Sequence, residues 1–155
     1  MASEKELFTP ELVFFDWELE STDDLFEKLN GILLERGNVN EGWLEGITTR
    51  EKNYATGLRV PSCGFAIPHT DPQYIEKPYI AVIKPKKPIV FGAMAGMGDP
   101  VPAEIIINLG VLRDGGQVQT LQTLMNIFAN EDSVAEIMAQ DTPEGMVATI
   151  TKHFE

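Results

Sequence analysis

The chain has 155 residues, 43% of them hydrophobic and 23% charged, the composition of an ordinary globular protein long enough to bury a sizeable core. Twelve basic residues stand against twenty-four acidic ones, a net charge of −12, which argues against nucleic acid and anionic membrane surfaces and leaves solubility or a partner with a basic patch. The single cysteine, Cys63, rules out an internal disulfide and fits a reducing compartment; beside Gly64, without the local pattern of a nucleophile, it reads as a buried, inert thiol.

The N-terminus Met-Ala-Ser-Glu-Lys-Glu lacks a charged-then-apolar signal pattern, and no apolar run approaches about 18 residues. A cytoplasmic protein is expected, acting at a membrane only through a partner. The first strand is read at Glu11–Trp17, where Leu12, Phe14 and Trp17 alternate imperfectly. Ser21-Thr-Asp-Asp24 then supplies an N-cap and two acids for a helix whose inner positions are Leu25, Leu29, Ile32 and Leu33, ended by Gly37. A second helix runs from Asn40 to Asn53 with Trp43, Leu44 and Ile47 inward and Arg50-Glu51-Lys52 near its end. Tyr54–Ser62, with Gly57 and Pro61, reads as a loop.

Phe65-Ala66-Ile67 is a short buried strand that Pro68 stops, because proline cannot donate to a ladder. His69 follows at once, and Asp71-Pro72 has the form of an N-cap with proline in the first helical turn. Strands at Tyr79–Lys84 and Ile89–Phe91 flank the turn Lys84–Pro88. The glycine-rich stretch Ala93–Pro100 lacks the Lys-Ser/Thr of a phosphate loop, so nucleotide binding is not inferred. Ala103–Leu109 is β-branched and reads as a central strand. Asp114-Gly-Gly-Gln117 resembles a capping box opening a helix with Val118, Leu121, Leu124, Met125 and Phe128 as its apolar stripe. Helices near Glu131–Ala139 and from Thr142-Pro143 to Lys152 complete the chain. The sum is an α/β fold: one domain over 1–155, a mixed, roughly five-stranded sheet with helices on both faces.

Only two histidines are present, His69 and His153. A catalytic zinc usually takes three protein ligands, so no metal site is expected. His153 reads simply as a cation at a helix C-terminus, and no Gly-x-Ser-x-Gly elbow supports a serine hydrolase. His69 therefore acts alone: as a proton shuttle, as a phosphoryl acceptor, or as a structural residue ending a strand. An acceptor needs one ring nitrogen free, the other held by a hydrogen-bond acceptor, and donors for the phosphoryl oxygens. Arg50, Thr56, Gln117 and the backbone N–H groups of Thr70–Gln73 are candidates for those donors.

At these residues the chain resembles the enzyme IIA domain of the mannitol/fructose class of the bacterial sugar phosphotransferase system. The matching pattern is Arg50-Glu51, Thr56-Gly57 and Gly64-Phe-Ala-Ile-Pro-His69, with nineteen residues from Arg50 to His69, and the likeness continues through Phe91-Gly92 and the helix Gln119–Asn126. The resemblance implies a mixed five-stranded sheet and a phosphotransferase without a cofactor. In it, His69 takes a phosphoryl group on Nε2 from the carrier protein HPr and passes it to a sugar-specific enzyme IIB, which serves a membrane enzyme IIC. Arg50 maps onto the arginine that faces the phosphoryl group. Gln117 stands where mannitol and fructose members commonly carry a second histidine; it can donate a hydrogen bond but cannot titrate. His69-Thr70-Asp71 points to the galactitol branch. The absence of a linker suggests a separate enzyme IIB. A regulatory phosphoacceptor is the alternative function, and a non-catalytic relic of the fold a third.

Overall fold

The computed structural model describes residues 4–60, 63–96, 98–110 and 114–154. In chain order it contains β1 (Phe8–Phe15), α1 (Thr22–Arg36), α2 (Trp43–Asn53), β2 (Gly57–Arg59), β3 (Gly64–Ala66), β4 (Tyr79–Lys84), β5 (Ile89–Phe91), β6 (Val101–Ala103), β7 (Ile105–Gly110), α3 (Asp114–Phe128), α4 (Glu131–Met138) and α5 (Pro143–Thr151). Five strands form one sheet in the order β1-β4-β7-β3-β2, and β5 and β6 pair apart as a two-stranded ribbon. The sheet is mixed: β1 runs parallel to β4 and β3 to β7, while β4–β7 and β2–β3 are antiparallel.

β4 and β7 are apolar at nearly every position because both faces of the sheet are covered. Ala81, Ile83 and Ile106 pack with Leu25, Leu29, Leu33, Trp43 and Ile47 of α1 and α2. Their neighbours Ile80, Val82, Ile105 and Ile107 pack on the other side with Leu124, Phe128, Ile137 and Ile150 of α3–α5. Phe65 of β3 stacks on Phe128 with ring centres 4.2 Å apart. The two caps of α1 are those read from the sequence. Ser21 accepts the Asp24 N–H at 3.2 Å, and Gly37 ends α1 at φ 77°, the left-handed region where glycine carries no Cβ penalty.

Several boundaries differ from the sequence reading, each for a physical reason. The fifth strand of the sheet is β2, inside the stretch read as a loop. It is three residues long and lies at an edge, too short to show alternation. Ile89–Phe91 belongs to the ribbon and not to the sheet. The long strand at Ala103–Leu109 breaks at Glu104, whose N–H turns to the Gly64 carbonyl at 2.8 Å, so that β6 leaves for the ribbon and β7 stays. Met125 is 43% exposed, and Ile127 takes the inward place assigned to it. The capping box read at Asp114–Gln117 lies outside the described residues in its side chains, although α3 does begin at Asp114.

β3 runs so close under the ribbon that Gly64 has no room for a side chain. A Cβ there would meet the Pro102 carbonyl oxygen and come within 2.9 Å of Val101 Cγ1. Gly64→Ala is therefore expected to push the ribbon away at a cost of about 1–3 kcal/mol. A thermal melt should show this as a midpoint lowered by several degrees, at about 2–4 °C per kcal/mol; an unchanged melt would mean that the ribbon yields freely.

Candidate functional site

β3 ends at Ala66, and the next residues carry the chain past the end of the central strands. Pro68 accepts the Leu109 N–H at 3.2 Å, and His69 bridges to Leu109 in parallel. His69 is buried, and its Nδ1 lies 2.8 Å from the Ile67 carbonyl oxygen. A carbonyl can only accept, so the ring hydrogen sits on Nδ1 and Nε2 keeps its lone pair. Burial holds the pKa of this imidazole below the ordinary value of 6.5. The bond to Ile67 and the Asp71 charge act against that shift, and the Arg50 charge acts with it. His69 is thus a neutral base at pH 7, in the tautomer that leaves Nε2 as the nucleophilic atom.

α2 brings Arg50 to the same place from its last turn. A cleft of about 610 Å³ is lined by His69, Arg50, Tyr54, Thr56, Met94 and Leu121 among others. Arg50 lies 5.6 Å from the centre of the Tyr54 ring, and its Nη1 donates to Asp71 Oδ1 at 3.0 Å. That contact revises the sequence reading of Asp71. Pro72–Tyr74 forms a single 3₁₀ turn to which the Asp71 side chain gives no cap; the carboxylate goes to Arg50 instead. Thr70 is buried, and its hydroxyl donates to the Asp71 carbonyl at 3.1 Å. Of the backbone donors read at Thr70–Gln73, Pro72 has none to offer. The side chain of Gln117 lies outside the described residues. Cys63 is buried, and desolvation pushes its thiol up to about 11, as befits an inert cysteine.

Thr56 is placed at the cleft but is occupied. Its N–H and its hydroxyl both donate to Glu51, at 2.8 Å each. Glu51 stands in the sequence pattern beside Arg50 and five residues before Thr56, but was given no role from the sequence. It is buried, and desolvation raises its carboxyl from 4.5 to about 7, while the two Thr56 bonds and Arg50 pull down. A carboxyl with a raised folded pKa binds a proton on folding. Its favourable contribution is complete below about 4.5 and is lost as pH rises through about 7, a change of about 3 kcal/mol. Glu51→Gln mimics the protonated form: its oxygen can accept the Thr56 N–H and its amide can donate to the hydroxyl. Urea unfolding should find the variant gaining on the wild type between pH 5 and pH 8, by up to about 3 kcal/mol. A gap that does not change with pH would show that Glu51 does not titrate in this window.

Among the described residues no cluster of three or more His, Cys, Asp or Glu is placed to hold a metal, and no helix is long and apolar enough to cross a membrane. The sequence profile of the phosphoenolpyruvate-dependent sugar phosphotransferase system, EIIA 2, matches residues 6–153. The chain belongs to this family. The transcriptional regulator ManR of Bacillus subtilis (strain 168) is 36% identical over 84 residues, which are 54% of this chain and 12% of the regulator. The nitrogen regulatory protein IIA-Ntr of Neisseria meningitidis has the same fold, with a TM-score of 0.78 at 24% identity over 94% of this chain and 97% of that one. So does enzyme IIA of mannitol in its complex with phosphorylated enzyme IIB from Escherichia coli, with a TM-score of 0.71 at 16% identity over 92% and 95% of the two chains. The mixed five-stranded sheet with helices on both faces is thus the EIIA fold.

Proposed function

We propose that this EIIA chain carries phosphoryl groups on His69 Nε2, from the phosphohistidine of HPr to a sugar-specific enzyme IIB. The observation that carries the reading is the Nδ1–Ile67 contact at 2.8 Å, which leaves an unprotonated Nε2 on a residue lining the cleft that Arg50 also lines. The Nε2 lone pair forms the new N–P bond as the donor's N–P bond breaks, and the electrons of that bond return to the donor nitrogen. No proton has to leave Nε2. The ring is then positively charged, with its Nδ1–H still on an acceptor suited to that charge. Arg50 supplies the cation for the phosphoryl oxygens, and Gln117 is assigned a donor's place at the start of α3. Thr56, Thr70 and Asp71 support the site: Thr56 through Glu51, Thr70 by fastening the loop, Asp71 by holding Arg50.

The bond must be re-broken by the next carrier, so an open cleft that a partner can enter suits the task better than a closed pocket. The complex of a family member with phosphorylated enzyme IIB supports enzyme IIB as acceptor here. The cargo we assign is a sugar or polyol, galactitol first, on the sequence His69-Thr70-Asp71. The work is placed in the cytoplasm, without a cofactor, in contact with enzyme IIC only through enzyme IIB.

Incubation with phosphoenolpyruvate, enzyme I and HPr should add one acid-labile phosphoryl mass to the chain. No gain in the wild-type protein would refute the reading. The match to ManR favours a second one, in which phosphorylation of His69 switches contacts with a target protein. Phosphorylation that passes on to no enzyme IIB would favour the regulator; rapid discharge to an enzyme IIB favours transport.

A further inference from the structure

Asn108 interrupts the run Ile105-Ile-Ile-Asn-Leu109 with a side chain that is fully buried. A buried amide left without partners costs about 1–3 kcal/mol for each orphaned group, and this one is not left so. Its Oδ1 accepts the Tyr79 hydroxyl at 2.7 Å, and its Nδ2 donates to the Pro68 carbonyl at 2.9 Å. The same Pro68 carbonyl takes the Leu109 N–H at 3.2 Å, so both of its lone pairs are engaged. The carbonyl one residue earlier, that of Ile67, is the one that holds His69 Nδ1. The two peptide groups that set the direction of the imidazole are therefore fastened to one another and to β7.

Tyr79 reaches Asn108 across a glycine. It pairs with Gly110 in the β4–β7 ladder, and a Cβ at Gly110 would fall among the carbons of the Tyr79 ring. Without that Cβ the ring crosses β7 and delivers its hydroxyl to the residue two positions back on the same face. Burial pushes the phenol far above its ordinary pKa, so it remains a donor at any physiological pH. Neither Asn108 nor Tyr79 lines the cleft of His69.

We infer that Asn108, oriented by Tyr79 across Gly110, is a positioning residue that fixes the Pro68 peptide and so holds His69 in its Nδ1–H tautomer with Nε2 free. The functional weight of this rests on His69 as the phosphoryl acceptor; the geometric part does not. The test uses the unphosphorylated protein, with ¹⁵N NMR of the His69 ring in wild type, Tyr79→Phe and Asn108→Asp. Tyr79→Phe removes one oxygen, and Asn108→Asp replaces the donor to Pro68 by an acceptor at equal size. In both, the two ring nitrogens are expected to move toward the average of the two tautomers. The His69 titration should move further below its ordinary value, because the Ile67 bond that opposes the burial shift is loosened, and phosphoryl uptake from phospho-HPr should slow roughly tenfold. Gly110→Ala should do the same without removing a polar atom. An unchanged tautomer and titration in folded Tyr79→Phe would overturn the inference, and that variant suffices where Asn108→Asp does not fold. Ring signals that move while wild type takes up no phosphoryl group leave the positioning standing and remove the phosphotransfer reading. Normal uptake with unmoved ring signals in the variants does the reverse.

Discussion

A His69→Gln chain is expected to take up no phosphoryl group from phospho-HPr, at any pH or time of incubation. Glutamine has about the length of histidine and keeps an amide that can bond Ile67. Its nitrogen lone pair, however, is delocalised into the carbonyl and does not attack phosphorus. The effect is total rather than graded because the covalent intermediate itself is lost. The chain offers just one other imidazole, His153, which sits in the 3₁₀ turn Lys152–Phe154 that ends α5. His153→Gln is expected to load normally. Intact-mass spectra of the two variants after the same incubation check both statements, and an acid-labile gain that survives His69→Gln would move the acceptor elsewhere.

How much of this was legible in the sequence depends on whether a signal was local. The caps of α1 were, because Ser21 and Gly37 act within one turn of chain. The central strands were, because burial on both faces makes them apolar throughout, as in Tyr79–Lys84 and Ile105–Leu109. Sheet membership was not. β2 owes its place to pairing with β3, and β5 lies outside the sheet although it has the composition of a strand. Composition says that a segment can pair; partners remote in sequence decide with what.

The site divides in the same way. His69 and Arg50 stood out as rare or charged residues at element ends. The bond from Nδ1 to Ile67, two residues away, was required in kind but not in identity. Asp71 was read as a cap because Asp-Pro is a local signal, yet its partner is Arg50, twenty-one residues earlier. Asn108 stayed hidden, and the role of Glu51 with it. A buried polar residue is informative only with its partners in view, and for Asn108 these, Tyr79 and Pro68, come from other parts of the fold.

Arg50→Ala is expected to slow phosphoryl uptake by about 10² to 10³-fold, the range seen when one preorganised donor is removed from a developing anion. The fold should survive the change. Arg50 is 32% exposed in its side chain and Asp71 60%, so their ion pair is screened by water and contributes no more than about 1 kcal/mol. Arg50→Lys should fall between the two, since lysine keeps the charge but loses the planar fork that grips two oxygens. Asp71→Asn tests the other side of the pair. With the carboxylate neutralised, Arg50 is no longer held in place, and phosphoryl uptake should slow by roughly two- to fivefold for a contact of this exposure. Stopped-flow uptake, discharge to enzyme IIB and a thermal melt on the same three variants separate the roles. Slow transfer with an unchanged melt assigns Arg50 to the phosphoryl group. A melt lowered by tens of degrees in Arg50→Ala would instead make it a strut between α2 and the turn at Pro72–Tyr74, and the chemistry would need another cation.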